Sequence, residues 1–259
     1  MLGKLMKYEF KETWLPMVIA FGLLCILGGI GAIAMHVSPQ AAVSEIFTVL
    51  YVISLVVVAV LVVVWIVKRF YDNLLSRQGY LTMTLPANAW EQVGAKLLTG
   101  LIWMIAMMAV MMISMSFFFI GSETFNFSKM TSAEWDTLWQ MFHQYHVGTL
   151  MFEMGLSAVV SVATGLLTFY FAMAVGQLVH RHRKLLSVGV WIALMIVIQV
   201  LSIRFILTLS SLSSDLGTMN QSLLTVGNYF LITTAVSTII GALLYIGTAW
   251  LLDRHLNLE

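Results

Sequence analysis

Very few side chains in this sequence are arranged for covalent chemistry. Gly155 and Ser157 come close to the glycine-flanked serine of hydrolases, but the apolar stretches hold no histidine that could act as the base. The H-E-x-x-H pattern of zinc hydrolases is absent. His36, His143 and His146 have no spacing that dictates a metal geometry. We therefore expect neither catalytic residues nor a metal site.

The sequence also lacks the means to hydrolyse a nucleotide. A phosphate-binding loop needs the pattern G-x-x-x-x-G-K-[ST], and the pair Gly3 and Lys4 has no upstream glycine. We expect the chain to be no enzyme and to bind no cofactor itself.

Composition points instead to the membrane. The 259 residues are 60% apolar and 10% charged, and the mean hydropathy is +0.94. These values fit a polytopic membrane protein and no soluble domain. Cys25 is the single cysteine, so an intrachain disulfide is excluded.

Six segments are long and apolar enough to span a bilayer, which takes about 20 residues. The sequence therefore predicts an all-α fold with six transmembrane helices and a single transmembrane domain over 1–259. The predicted spans are 15–35, 46–67, 97–120, 148–179, 185–203 and 229–252.

The basic residues predict the orientation. With both termini in the cytoplasm, eleven of the thirteen lysines and arginines fall on the inner side, and only Lys129 and Arg204 fall outside. Basic residues near helix ends stay on the cytoplasmic side. We expect both termini to be cytoplasmic.

Residues 1–14 are predicted to form an amphipathic helix in the cytoplasmic headgroup plane, which turns into the bilayer near Pro16. One alternative is that these residues are simply the start of the first span. A cleaved signal peptide is disfavoured, because Glu9 and Glu12 lie in its would-be basic region and the apolar run is long enough to span.

The polar region 68–96 interrupts two apolar runs and is predicted to lie in the cytoplasm. Pro86 ends any helix or turn that precedes it. Asn88 stands three residues before Glu91, and the two form a variant of the capping box. The third helix should therefore begin at about Ala89. By these residues alone, the region is either a docking element or an ordinary solvated loop.

The string from Arg69 to Pro86, with Lys96 and the apolar helix carrying Trp103, resembles the loop between spans two and three of type-2 ABC exporter permeases. The likeness is to small bacterial permeases whose ATPase is a separate polypeptide. It implies that the loop forms a coupling helix seated in the ATPase. The residues it places at or beside that contact are Tyr71, Asn73, Leu74, Arg77, Gly79, Tyr80 and Pro86.

The resemblance implies a permease subunit that exports a hydrophobic or amphipathic substrate, such as an antimicrobial peptide, a drug or a lipid-like molecule. Its partners would be an ABC ATPase subunit carrying ATP and Mg, membrane lipid and a second permease, either a copy of this chain or a paralogue. It also implies a bacterial plasma membrane, and we expect no nucleic acid partner. The alternative is a sensor or immunity protein that binds a peptide or lipid at the outer face without moving it.

Methionines follow one face of the third predicted span. A flexible, polarisable stripe could line a pathway for varied apolar cargo, whereas gap-filling in the helix packing or plain lipid contact is the commoner reason for such a stripe. The candidate pathway residues are Met104, Met108, Met111 and Met115, and Met107 and Met112 extend the stripe.

Outside, the segment 121–147 is predicted to contain an amphipathic helix. Thr131 and Glu134 form a capping box, and Trp135 and Trp139 share a face with other aromatic residues. Such a helix would anchor on the outer leaflet or cover the mouth of a pathway.

Glu153 and Arg204 both fall near the outer ends of spans and are candidates for an ion pair, with unpaired snorkelling as the alternative. Small residues at four-residue spacing predict helix-packing seams. These are Gly28 with Ala32, Ser157 with Ser161 and Gly165, and Thr233 with Ser237 and Gly241.

Overall fold

A computed structural model describes residues 2–37, 41–75, 88–121, 131–144, 147–178, 183–215 and 222–254. All regular structure in these ranges is helical, as predicted. The helices are α1 (Leu2–Val37), α2 (Ala41–Phe70), α3 (Ala89–Gly121), α4 (Ser132–Gln144), α5 (Val147–Gly176), α6 (Arg183–Asp215) and α7 (Ser222–Arg254).

Six of these helices, all except α4, are long and apolar enough to cross a membrane, which suggests a multi-pass membrane protein. Their apolar cores coincide with the six predicted spans. The starts of α3 and α4 are also where the capping patterns placed them. The carbonyl of Asn88 accepts a bond from the Gln92 amide, and that of Thr131 accepts one from the Trp135 amide, each at 3.2 Å.

The N-terminal segment differs from the first expectation. α1 runs from Leu2 to Val37 with Pro16 inside it, so residues 1–14 do not form a separate helix. Pro16 has no amide to donate to the Glu12 carbonyl four residues before it, and a long helix tolerates the loss of this one backbone hydrogen bond. One turn before the proline, the Thr13 hydroxyl donates to the Glu9 carbonyl at 2.7 Å.

The chain forms two compact units. The first comprises Met1–Arg69 and Leu98–Leu138 and is built mainly from α1, α2 and α3. A buried hydroxyl relay joins these helices: Tyr51 donates to Ser114 at 3.0 Å, and Ser114 donates to the Leu24 carbonyl at 3.1 Å. A Cβ on Gly28 would lie 2.5 Å from the Ser114 hydroxyl oxygen. Gly28 thus forms a packing seam, as predicted.

The second unit comprises Phe70–Leu97 and Trp139–Glu259. Its centre is α5, which packs against both α6 and α7. The Thr164 hydroxyl lies 3.0 Å from the Ser237 carbonyl oxygen, and a Cβ on Gly241 would lie 3.1 Å from the same hydroxyl. The predicted seam on α7 therefore packs closely. On α5, however, the contact uses Thr164, while nothing of this chain lies within 4 Å of a Cβ at Gly165.

Candidate functional site

The region that the sequence singles out begins where α2 changes its winding. The α-helix ends at Phe70 and continues as one π-helical turn, Tyr71–Leu75. Turns of this kind are rare in proteins, and those that do occur are frequently found at functional sites. Leu74 and Leu75 are buried at 1% and 5% exposure, whereas Tyr71 and Asn73 are half-buried. Leu74 therefore supports the turn from within, and Tyr71 and Asn73 present its partly accessible side.

An aromatic stack holds the start of this region. The ring of Phe70 lies parallel to that of Tyr170 on α5, with centroids 3.9 Å apart and planes 7° from parallel. Both side chains are 1% exposed. An offset stacked pair contributes about 0.5–1.5 kcal/mol beyond the area it buries. The last residue of α2 is thus fixed on the central helix of the second unit.

A second contact holds the far end of the region, on α7. The Tyr245 hydroxyl donates to the Trp90 carbonyl at 2.8 Å, and the two rings lie 5.7 Å apart. Trp90 belongs to the first turn of α3, so its carbonyl is held just after the predicted return from the loop. Val93 and Ala95, further along the same turns, are buried at 0% and 2% exposure.

Between these two anchors lie residues 76–87, which include four of the predicted coupling residues. Arg77, Gly79, Tyr80 and Pro86 fall outside the described residues, so their role stays a prediction. The structure describes the contacts on either side of this segment. Phe70, before it, contacts α5, and Trp90, after it, contacts α7.

A separate polar network lies within the first unit. The Arg69 guanidinium bridges two carboxylates of α1: its Nε donates to Glu9 at 2.8 Å, and its Nη2 contacts Glu12. The Trp103 indole N–H donates to the Thr13 hydroxyl at 2.9 Å. These contacts join α1 to both α2 and α3. Their only sign in the sequence is the presence of two acidic residues, Glu9 and Glu12, in a basic, apolar segment.

The methionine stripe of α3 does not share one environment. Met107 is buried at 6% exposure, Met104 and Met111 are half-buried, and Met108, Met112 and Met115 are exposed at 38%, 72% and 46%. The stripe therefore spans a buried edge and an outward face of α3. Its role as a cargo pathway stays a prediction.

The other candidates are placed as follows. Glu153 is half-buried and Arg204 exposed, and the ion pairs found among the described residues do not include them. Their pairing stays a prediction. Within the same residues, no cluster of three or more His, Cys, Asp or Glu side chains could hold a metal ion.

The predicted outer amphipathic helix is present as α4. Its aromatic side chains are outward-facing, with Trp135 at 48%, Trp139 at 65% and Phe142 at 37% exposure. The rings of Trp139 and Phe142 are parallel within 8° at 5.9 Å, and His143 meets Trp139 edge-on at 5.1 Å. An aromatic face of this kind suits a membrane interface or an amphipathic ligand.

No protein-family model, curated protein or solved structure matches this chain. The functional argument therefore depends on the residues and contacts described above.

Proposed function

We propose that this chain is the transmembrane permease subunit of an ABC transporter that exports a hydrophobic or amphipathic substrate. ATP and Mg are bound and hydrolysed by a separate ATPase subunit, and a second permease subunit completes the transporter. The protein resides in a bacterial plasma membrane with both termini in the cytoplasm, because that orientation places eleven of thirteen basic residues inside.

The observation that carries this proposal is the double attachment of the segment after α2. Phe70 is stacked on Tyr170 of α5, and Trp90 is bonded to Tyr245 of α7. An ordinary solvated loop does not need aromatic contacts at both ends, one of them buried. A segment that must pass a mechanical displacement to two spanning helices does, since a loose attachment would absorb the motion.

The π-helical turn adds to this argument. It lies at the point where the chain leaves α2, and it directs the partly exposed Tyr71 and Asn73 away from the buried Leu74. Those two side chains, with Arg77 and Tyr80 further along, form the proposed contact with the ATPase. The outward methionines of α3 are the proposed contact for apolar cargo.

The test is ATP hydrolysis by the permease–ATPase complex in lipid vesicles. We expect the combined replacement of Arg77 and Tyr80 by alanine to abolish co-purification of the ATPase, and to lower vesicle ATP hydrolysis to that of the ATPase alone. Trp139→Ala on α4 is the control, since it removes a large exposed side chain that the proposal does not place against the ATPase, and it should leave both quantities unchanged. Unaltered co-purification and hydrolysis in the double variant would contradict the proposal.

A sensor or immunity protein is the second candidate, and the exposed aromatic face of α4 favours it. Trp135, Trp139 and Phe142 offer a ligand-sized apolar surface that needs no ATPase to bind a peptide or lipid. If the chain is a sensor or immunity protein, binding of the peptide or lipid should depend on α4 and should survive replacement of Arg77 and Tyr80 by alanine. The two candidates are thus separated by the same set of variants.

A further inference from the structure

Three lysines lie on one side of α1 near its N-terminal end and form what we call the lysine face. Lys4, Lys7 and Lys11 are all exposed, and helical geometry places them within about 60° of one another around the axis. Their spacings of three and four residues put each side chain beside the next, and like charges at these spacings destabilise an isolated helix. The lysine face is thus a repulsive arrangement that a bound anion would relieve.

The acidic residues of the same segment do not neutralise the lysine face. Glu9 and Glu12 both contact the Arg69 guanidinium of α2. Helical geometry places Glu9 about 165° and Glu12 about 105° around the axis from the centre of the lysine face. The ion pairs found in the part of the chain that the structure describes include none of the three lysines. Arg69 therefore takes up the acidic charge of the segment, and the lysine face keeps its positive charge.

The lysine face continues along the same side of α1 into the apolar surface of the span. The exposed side chains that extend it are Tyr8, Trp14, Leu15 and Val18. Tyrosine and tryptophan are enriched where a span meets the lipid headgroups. At 1.5 Å per residue, Lys11 lies about 6 Å and Lys7 about 12 Å before Leu15, where the apolar run begins. The headgroup layer is about 5–7 Å thick on each side of the hydrocarbon core, so Lys11 lies in it and the flexible side chain of Lys7 reaches its edge.

The order of these side chains along α1 indicates what covers them. The occupant must offer an anionic group beside Lys7 and Lys11, and hydrocarbon beside Leu15 and Val18. A phospholipid has these two parts in this order. A free phosphate ion or an acidic soluble protein offers only the first part, and a neutral apolar helix offers only the second. Charge complementarity then selects among lipids, because a zwitterionic headgroup has no net charge whereas an anionic one does.

We propose that the lysine face and the apolar surface next to it form a binding site for an anionic phospholipid. The lipid phosphate lies between Lys7 and Lys11, and an acyl chain lies along Leu15 and Val18. Lys4 lies further from the bilayer and adds to the attraction, which extends about 8 Å in physiological salt. The inference requires only that α1 spans a bilayer. It therefore goes beyond the proposed transport function and holds equally for a sensor.

Quenching of Trp14 fluorescence by brominated lipid tests the site in the full-length protein, reconstituted in phosphatidylcholine vesicles. The chain has eight tryptophans, so the Trp14 signal is the emission that Trp14→Phe removes. We expect brominated phosphatidylglycerol to quench this signal more than an equal mole fraction of brominated phosphatidylcholine. Lys7→Gln and Lys11→Gln should each lower the relative affinity for phosphatidylglycerol about fivefold, the effect of one cation at an anionic surface. Arg204→Gln is the matched control, since it removes one exposed cation from α6 and should change nothing. Equal quenching by the two lipids in the native chain would overturn the proposal.

Thermal unfolding in mixed micelles gives a second measurement, because a ligand that binds the folded state raises the unfolding midpoint. We expect added phosphatidylglycerol to raise the midpoint of the native chain, but not that of a variant with Lys4, Lys7 and Lys11 all replaced by glutamine. With phosphatidylcholine alone, this variant should be at least as stable as the native chain, because it lacks the repulsion between lysines. An equal rise in both chains would contradict the site.

Inorganic phosphate is the probe for a free anion. If it displaced brominated phosphatidylglycerol better than sodium chloride of the same ionic strength, the lysine face would be a site for free phosphate and the assignment to a lipid would be overturned. None of these measurements involves an ATPase, so their failure leaves the proposed transport function standing.

Discussion

Phe70 at the end of α2 and Tyr170 near the end of α5 stack as parallel rings with centroids 3.9 Å apart. Both side chains are buried, and the pair fixes the point from which the proposed coupling segment departs. Because Phe70 is the last α-helical residue before the π-helical turn, any change in this stack alters the exit direction of the segment.

We expect Phe70→Ala to lower the free energy of unfolding by about 3–5 kcal/mol, the usual effect of removing a buried aromatic ring. Tyr170→Phe keeps the ring and should cost much less. Chemical denaturation of the full-length protein in lipid–detergent micelles measures both. A Tyr170→Phe effect as large as that of Phe70→Ala would mean that the hydroxyl, and not the stack, holds this site.

The bond between Tyr245 and Trp90 predicts a smaller effect. Tyr245→Phe removes the 2.8 Å hydrogen bond to the Trp90 carbonyl and keeps the ring contact. We expect a loss of about 0.6–1.7 kcal/mol in unfolding free energy, typical of polar contacts between helices in membranes. Tyr245→Ala removes ring and bond together and should be clearly more destabilising. Both variants should also lower ATP hydrolysis by the proposed permease–ATPase complex in lipid vesicles.

Gly28 provides a prediction with a neighbouring control. Gly28→Ala would place a methyl group 2.5 Å from the Ser114 hydroxyl oxygen and 3.0 Å from its carbonyl oxygen. Overpacking of this kind costs about 1–3 kcal/mol. Gly29→Ala meets nothing within 4 Å and should be neutral or slightly stabilising, because alanine favours helix over glycine. Thermal unfolding of the two variants compares them directly, and a similar midpoint for both would contradict the described packing of α1 on α3.

Arg69 contacts two carboxylates that differ in exposure. Their contributions to the free energy of unfolding should therefore differ as well. The Glu9 side chain is 16% exposed and that of Glu12 is 62% exposed. Exposed ion pairs contribute about 0–1 kcal/mol because water screens them, whereas a hydrogen bond to a charged group out of water contributes about 1.5–3 kcal/mol.

We therefore expect Glu9→Gln to be the more destabilising of the two substitutions. A double-mutant cycle of each with Arg69→Met isolates the pair energies. A larger coupling energy for Glu12 than for Glu9 would refute this order.

Hydropathy and local capping chemistry were enough to predict much of this protein from its sequence. A helix long and apolar enough to span a membrane is present at each of the six predicted positions, and α3 and α4 begin directly after Asn88 and Thr131, as predicted. These features depend on runs of about 20 apolar residues or on side chains within one turn of a helix start, so neighbouring residues contain the necessary information.

The candidate site was only partly predictable. The resemblance directed attention to the region after α2, but it gave no indication that Phe70 would meet Tyr170 or that Tyr245 would bond to Trp90, 155 residues away. The contact of α5 with α7 uses Thr164, which lies beside Gly165 of the predicted seam, and the seam itself stays a prediction. A rotation of about 100° separates these neighbours, and the spacing of small residues alone does not resolve it.

The sequence alone therefore determined that the chain is helical, that six of its helices are long and apolar enough to span a membrane, and where α3 and α4 begin. Only the tertiary structure decided which face of each helix meets which neighbour, including the link between Arg69 and Glu9 across 60 residues. The physical reason is that lipid is as apolar as the side chains of the spans. Burial against protein and exposure to lipid then favour the same residue types, so hydropathy defines a span but not its rotation.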